Sequence, residues 1–193
     1  MTDAERQKYT ELIRGRMSTH RFEHSLNVAK EAVRLAKLYG GDVEKAELAG
    51  LLHDVMKQSE PEEQLRYIRR KNRRITDVLQ SSPKLWHSAA GAAYMEYALK
   101  IRDREVLDAV RYHTTARAGM SLLEKIIYIA DYTSAERKYN GVEAMRKAAD
   151  RDLNEAMRIA LAFTIGNLAE KGSVIHPDTL KAYNEVILLG GNK

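Results

Sequence analysis

Apolar residues recur along most of the chain with the period of an amphipathic helix. Within residues 22–36 they fall at intervals of four, three, four and three, and residues 24–39 form an adjoining stripe with the same period. Spacings of three and four residues keep side chains on one face of a helix. The pattern therefore predicts a helix here, with His24 facing inward near its start.

A second predicted helix, residues 43–57, is small and apolar, which is typical of a central, tightly packed position. The glycine pair at 40–41 ends the first helix, and Asp42 can cap the second. His53 and Asp54 lie near the predicted end of this helix. Consecutive helical residues point in directions about 100° apart, so the two side chains face neighbouring directions.

Capping residues and early prolines indicate further helix starts. These are Ser59 with Pro61, Ser82 with Pro83, Asp103, Ser121 with Glu124, Asp152 with Glu155, and Pro177. The sequence has no convincing alternation of period two, no repeat and no low-complexity linker. It therefore predicts an all-α fold, a compact helical bundle that forms one domain over residues 1–193.

Composition excludes several classes of protein. The chain has 193 residues and no cysteine, so disulfides, thiolate metal sites and cysteine nucleophiles are absent. No apolar run approaches the roughly 20 residues of a membrane helix. The first six residues lack the apolar segment of a secretory signal. We expect a cytoplasmic protein that is not associated with a membrane.

The formal charge of +5 is compatible with an anionic substrate. The densest basic run, residues 66–74, would be a nucleic-acid patch in one interpretation, with Tyr67 available for stacking. Acidic residues precede it on the same predicted helix, and this order complements the helix dipole. We favour a solvated helix end, and do not expect nucleic acid as a partner. A homodimer is compatible with the sequence, although no heptad seam identifies an interface.

Six side chains carry the strongest chemical signal: His24, His53, Asp54, His87, His113 and Asp131. A single histidine on an apolar helix face is more often a hydrogen-bonded core residue than a ligand. Asp54 and Asp131, however, both follow apolar runs, and a buried carboxylate is costly without a compensating cation. Imidazole with carboxylate suits Fe, Mn, Zn or Ni. The set predicts a buried hydrolytic metal centre with one or two ions.

The order of these residues resembles the HD superfamily of metal-dependent phosphohydrolases. Its pattern is a histidine, then a His-Asp pair, then a distant aspartate, matched by His24, His53, Asp54 and Asp131. His87 and His113, which lie between, resemble the ligands of HD proteins with dinuclear sites. The resemblance implies that the first four residues hold one ion. It also implies that Asp54 bridges to a second ion on His87 and His113, or that these histidines face substrate phosphates.

The flanking sequences narrow the resemblance to the YqeK branch of the superfamily and extend it over about residues 18–189. The matching segments are 21–26 (RFEHSL), 53–57 (HDVMK), 112–115 (YHTT), 122–131 (LLEKIIYIAD) and 175–179 (IHPDT). The branch consists of symmetrical dinucleoside tetraphosphatases. The resemblance therefore implies cleavage of diadenosine tetraphosphate into two ADP molecules by a metal-activated water. It implies iron as the cofactor, with Mn, Zn or Ni as substitutes.

The resemblance also assigns roles within the site. Asp54 and Lys57 are the expected catalytic residues. The expected substrate contacts are Arg21, Asp54, Val55, Met56, Lys57, His87, His113, Thr114, Arg137, Val174, Ile175, His176, Pro177, Asp178 and Thr179. Lysine and guanidinium groups suit phosphate oxygens, and the residues before the helix at Pro177 offer free backbone N–H groups.

Two positions depart from the pattern of the branch. An acidic-proline dipeptide is expected after Asp131, which is followed instead by Tyr132, Thr133, Ser134 and Ala135, and Ala116 follows Thr115 where a glycine is expected. Other functions stay open from the residues alone. An HD hydrolase of a nucleoside monophosphate or an alarmone is one alternative, and a nucleotide- or RNA-binding regulator that uses Arg69, Arg70, Arg73 and Arg74 is another.

Overall fold

The structure, a computed structural model, describes residues 1–70 and 75–190, and these contain eleven α-helices and no strand. The helices are α1 (Asp3–Arg14), α2 (Thr19–Tyr39), α3 (Val43–Leu52), α4 (Pro61–Arg70), α5 (Asp77–Ser81), α6 (Trp86–Tyr97), α7 (Arg104–Tyr112), α8 (Leu122–Thr133), α9 (Val142–Arg151), α10 (Leu153–Glu170) and α11 (Pro177–Gly190). A short 3₁₀ helix, Pro83–Leu85, precedes α6. The all-α prediction is confirmed.

Helices α2, α3, α7 and α8 pack against one another and form the centre of the bundle. The central part of α8, residues 126–130, is fully buried. Gly40 ends α2 in the left-handed conformation, with φ of 68°, as its position in the sequence predicted. Gly50 allows α3 to approach α2 closely, because a Cβ atom at this position would lie 2.8 Å from Ala29 Cα.

Helix α3 ends at Leu52, five residues before the predicted end at Lys57. Residues 53–58 instead form successive tight turns, in which the N–H of Val55 donates to Leu52 and that of Lys57 donates to Asp54. The prediction was wrong because Val55 and Met56 are both buried, so the apolar pattern continues although the helix does not. Asp54 consequently lies in a turn and not within a helix.

Most predicted helix starts are present. Asp103 caps α7, Asp152 caps α10, and Ser121 with Glu124 forms a capping box at α8. Ser82 differs, because its side chain makes no capping hydrogen bond and the segment after it begins as a 3₁₀ helix. Thr76 caps the short helix α5, which the sequence pattern did not indicate. None of the helices in the described ranges combines the length and apolar character that spanning a membrane requires.

Candidate metal centre

Five different helices bring the predicted ligands to one buried point. His24 lies in the second turn of α2, His53 and His113 are the C-caps of α3 and α7, His87 begins α6, and Asp131 is near the end of α8. Asp54 follows His53. The four histidines and Asp54 are each at most 3% exposed. Polar groups concentrated this deeply need strong partners.

His24, His53 and Asp131 form the first half of the centre. The Nε2 atom of His24 lies 3.3 Å from Nε2 of His53 and 3.1 Å from Oδ1 of Asp131. Asp54 Oδ2 faces the same point, at 3.9 Å from His24 Nε2 and 3.6 Å from His53 Nε2. Four donor atoms of the type that binds a divalent ion thus converge here.

His87 and His113 form the second half, around the other oxygen of Asp54. Asp54 Oδ1 lies 3.1 Å from His87 Nε2 and 3.4 Å from His113 Nε2, and these two nitrogens are 3.1 Å apart. The two oxygens of Asp54 therefore point to different histidine pairs. A carboxylate in this position is suited to bridging two ions.

The Nδ1 atoms explain why the Nε2 atoms face inward. His53, His87 and His113 each donate from Nδ1 to the carbonyl three residues earlier, at 2.7 Å in every case. The carbonyls that accept from His53 and His113 lie in the last turn of a helix, where carbonyls lack a helical partner. A neutral ring with a proton on Nδ1 presents a lone pair at Nε2.

Burial keeps two of these rings uncharged. It lowers the pKa of His53 to about 4 and the pKa of His87 to about 4, so both are neutral at pH 7. Burial opposes ionisation of Asp131, but the His24 hydrogen bond and the Arg137 charge outweigh it and hold the pKa of this carboxyl well below its usual value. Neutral imidazole and ionised carboxylate are the states that bind a metal.

The donor set fits a divalent metal. His24, His53 and Asp131 offer ligand atoms within 4.8 Å of one another, and so do His53, Asp54 and His113. Atoms bound at roughly 2.0–2.2 Å from one ion are themselves about 3–3.5 Å apart. The distances from Asp54 Oδ1 and between the Nε2 atoms fall in this range, and Asp54 Oδ2 lies slightly farther, at 3.6 Å from His53 and 3.9 Å from His24. The Nε2 atoms of His87 and His113 face each other while both Nδ1 atoms donate to backbone carbonyls, so their lone pairs repel, and a cation removes that repulsion. The cluster is therefore a site for a divalent metal.

Three cationic side chains border the centre. Arg21 donates to Asp54 at 3.2 Å, and Lys57 Nζ lies 3.2 Å from His87 Nε2. Arg137 donates to both the carbonyl and the carboxylate of Asp131. Burial lowers the pKa of Lys57 and the charge of Asp54 opposes that change. All three cations predicted to contact phosphate thus lie beside predicted ligands.

The remaining predicted substrate contacts lie in different surroundings. The side chains of Val55 and Met56 are buried in the core, so only their backbones could meet a substrate. Thr114 lines the same cavity as His113. Of the segment 174–179, Val174 is exposed, and Thr179 is buried with its hydroxyl donating to the Thr115 carbonyl.

His176 and Asp178 line a separate cavity of about 290 Å³, together with Tyr112 and Thr115. Tyr112 and Thr115 flank the segment that carries His113 and Thr114. The 174–179 segment therefore adjoins the turn that holds one of the predicted ligands. Of the remaining residues of this segment, Ile175 lies two residues before α11 and Pro177 is the first residue of that helix.

The two departures from the branch pattern have structural counterparts. Ala116 adopts a left-handed conformation, with φ of 55°, at the position where glycine was expected. An alanine pays roughly 1–2 kcal/mol for this conformation. Near the other departure, Glu136 accepts a hydrogen bond from Nδ1 of His24 at 2.5 Å. Glu136 was not among the predicted site residues, because no helical period or motif spacing marks it.

The described part of the basic run, residues 66–70, does not extend the site. Residues 66–70 form the end of α4, where the Arg66 guanidinium lies over Tyr67 and that of Arg70 over Tyr97. Arg73 and Arg74, which the RNA-binding hypothesis also needs, lie outside the described residues. The described part of the run agrees with a solvated helix end.

Comparison with known proteins places this centre in a family. The family model described as HD domain matches residues 21–136, which include all six converging side chains. The chain belongs to the HD domain family. It is 39% identical to a predicted HD superfamily hydrolase involved in NAD metabolism from Clostridium acetobutylicum, whose crystal structure superposes with a TM-score of 0.92 over 95% of this chain and 97% of that one.

Two curated relatives are similar over nearly their whole length. The symmetrical bis(5'-nucleosyl)-tetraphosphatase of Halalkalibacterium halodurans is 43% identical, covering 95% of this chain and 97% of the relative. The enzyme of the same name from Bacillus subtilis is 37% identical, covering 91% and 94%. The match to the YqeK branch is thereby confirmed.

Proposed function

We propose that the protein is a symmetrical bis(5'-nucleosyl)-tetraphosphatase, which hydrolyses diadenosine tetraphosphate to two molecules of ADP. The observation that carries the proposal is the convergence of all six predicted ligands in a chain 37–43% identical to enzymes of that name. Other HD hydrolases could share the ligand set, but near full-length similarity to these relatives favours the dinucleotide. The absence of cysteine agrees with a cytoplasmic setting.

His24, His53, Asp54 and Asp131 would hold the first divalent ion. Asp54 would share its second oxygen with a further ion on His87 and His113. We take iron as the resident metal, on the resemblance to the YqeK branch. When bound, such ions act as Lewis acids that neutralise phosphate charge and make water nucleophilic near neutral pH.

The protein's own cations would bind the tetraphosphate chain. Arg21 and Arg137 can each make paired hydrogen bonds to phosphate, and Lys57 supplies a third positive charge beside His87. In this structure Arg21 and Arg137 donate to ligand carboxylates, so both guanidiniums are already oriented towards the centre. Their role is to hold the inner phosphates in position for attack.

Symmetrical cleavage defines the bond that breaks. Water attacks one of the two inner phosphorus atoms, and the bond from that phosphorus to the central bridging oxygen breaks. Each half of the substrate leaves as ADP, and the incoming oxygen remains on the terminal phosphate of one product. No side chain is required as a covalent nucleophile.

The test is hydrolysis of diadenosine tetraphosphate in ¹⁸O-labelled water by the iron-loaded protein. The products are separated by chromatography, and their masses are measured by mass spectrometry. The proposal requires ADP alone, with one labelled oxygen in half of the molecules, in the terminal phosphate. ATP with AMP would show asymmetric cleavage and refute it. Hydrolysis of a nucleoside monophosphate or an alarmone, with diadenosine tetraphosphate left intact, would favour another HD activity.

A further inference from the structure

A cavity of about 340 Å³ opens directly onto the metal centre. Its inner end is formed by His113 and Asp131, and its outer part by Tyr139 and Phe163, with Arg137 also in its wall. The volume is in the range of small-molecule sites, roughly 300–1,000 Å³. None of the aromatic residues was predicted to be functional.

Phe163 is a partly exposed aromatic residue in the wall of this cavity. It lies in the middle of α10 and is 40% exposed, whereas phenylalanine is normally buried. Its ring stacks on Tyr139, with centroids 5.3 Å apart and planes inclined by 29°. The Tyr139 hydroxyl donates to the Tyr132 carbonyl at 3.0 Å, which fixes that ring. The two rings form an ordered aromatic surface, which we call the 139/163 platform.

The cavity changes in chemistry from one end to the other. Two predicted metal ligands occupy its inner end, where a bound cation would attract phosphate. Arg137 adds a guanidinium, while the 139/163 platform is apolar and aromatic. A nucleoside 5'-phosphate has the matching order of groups, an anion at one end and a planar base at the other. Bases stack on exposed aromatic side chains independently of sequence.

The substrate class needs two such surfaces. Diadenosine tetraphosphate carries one adenine on each side of the bond that breaks. The segment 174–179, an expected substrate contact that adjoins the turn carrying His113, is the candidate surface for one of them. We propose that the 139/163 platform stacks the nucleobase of the other half of the substrate. This inference rests on the proposed function, because only a dinucleotide needs both surfaces at once.

The test compares the metal-loaded wild type with Phe163→Ala and Phe163→Tyr. Loss of the ring should lower kcat/KM for diadenosine tetraphosphate roughly 5- to 160-fold, the range for one stacked base. The change should appear in KM, because Phe163 does not approach the reacting atoms. Phe163→Tyr keeps the ring and should retain kcat/KM within about twofold of wild type.

Adenosine 5'-tetraphosphate distinguishes base stacking from a general disturbance. It carries one base, which the 174–179 surface can take, so Phe163→Ala should affect its kcat/KM much less. An equal loss with both substrates, or no loss with either, would overturn the platform. Leu188→Ala is the matched control, because it removes an exposed apolar side chain of α11 that does not line the cavity.

Binding separates this inference from the proposed function. An analogue of diadenosine tetraphosphate with a methylene group in place of the central bridging oxygen cannot be cleaved symmetrically. Calorimetry with this analogue should show a loss of affinity of roughly 5- to 160-fold for Phe163→Ala, whether or not the protein hydrolyses the natural dinucleotide. Unchanged affinity would refute the platform, and failure of hydrolysis alone would refute only the proposed function.

Discussion

The Nδ1 atom of His24 donates to Glu136 Oε1 at 2.5 Å, so a carboxylate in the segment after α8 orients a predicted ligand from α2. The other three histidines of the centre donate to backbone carbonyls instead. The Ser134 hydroxyl also donates to Glu136 Oε1, at 2.7 Å. Oε2 of Glu136 is buried without a hydrogen-bond partner in the described part of the chain. Burying such an oxygen costs free energy, so the carboxylate has a role other than filling space.

Substitution of Glu136 should therefore weaken metal binding. A carboxylate behind a ligating imidazole fixes its tautomer and raises its basicity, and its loss typically costs about 10- to 100-fold in metal affinity or activity. We expect Glu136→Ala to show this loss, and Glu136→Gln to lose less, because the amide oxygen still accepts the Nδ1 proton. Competition with a chromogenic chelator measures the affinity.

Glu143→Gln is a suitable control for that experiment. Glu143 is an exposed acidic residue paired with Arg146 and has no contact with the centre. Its substitution should leave metal affinity unchanged. Equal affinities for wild type and Glu136→Ala would mean that His24 needs no partner at Nδ1.

Asp54 should be the residue on which both ions depend. Its two oxygens face different histidine pairs, so Asp54→Asn should lower the number of bound ions. Loss of a residue that only hydrogen-bonds to a ligand typically reduces activity by up to roughly 100-fold, and Asp54→Asn should reduce hydrolysis by more than that. His87→Ala should remove one ion and leave the other. Elemental analysis of the purified proteins measures the stoichiometry.

Asp150→Asn provides the matched aspartate control, because Asp150 is an exposed residue that pairs with Arg34. Surface pairs of this kind contribute little, so metal content and activity should match wild type. Retention of full metal content by Asp54→Asn would exclude a bridging role for Asp54.

The sequence predicts the candidate ligands and most helix starts, but it does not predict where every helix ends. The 3.6-residue period revealed α2, a small apolar segment that follows the glycine pair and Asp42 indicated α3, and capping residues located the starts of α7, α8 and α10, because these signals are local in sequence. The six predicted ligands converge because their motif order reflects a shared architecture. The end of α3 could not be found in the same way, because burial of Val55 and Met56 imitates a continuing helix.

Contacts between distant segments were beyond the sequence pattern. Glu136 binds His24, 112 residues away in the sequence. Phe163, in α10, stacks on Tyr139, which lies before α9. Neither pair has a periodic or spacing signal, because each depends on how whole helices pack. Ala116 is similar, since only the backbone angle shows that an alanine occupies a glycine-type conformation.

Bound metal should stabilise the folded state of the protein in addition to supporting its activity. The ligands come from five helices and meet only when these are packed, so an ion binds the folded state preferentially. At a free metal concentration 100 times Kd, this contributes about 2.7 kcal/mol, or a rise in Tm of roughly 5–10 °C for a domain of this size. Calorimetry with metal and with excess chelator measures it. Asp54→Asn should show a much smaller difference, and an identical difference would place the stabilising ion elsewhere.

Gly50 should couple the packing of α3 to the metal centre. A methyl group at this position would lie 2.8 Å from Ala29 Cα and 3.1 Å from Ala29 N, both backbone atoms that cannot turn aside. Helix α3 must then move from α2, and the Gly50 carbonyl that accepts from His53 Nδ1 moves with it. We expect Gly50→Ala to lower the free energy of unfolding by about 1–3 kcal/mol, as overpacking does, and also to weaken metal binding.

Gly166→Ala is the matched control, because Gly166 lies in α10 with open space around it, and alanine should there stabilise the helix by up to about 1 kcal/mol. Denaturant unfolding with and without metal measures both effects. If Gly50→Ala lost stability but kept full metal affinity, the His53 ring would be positioned independently of α3, and the link between close helix packing and ligand geometry would be wrong.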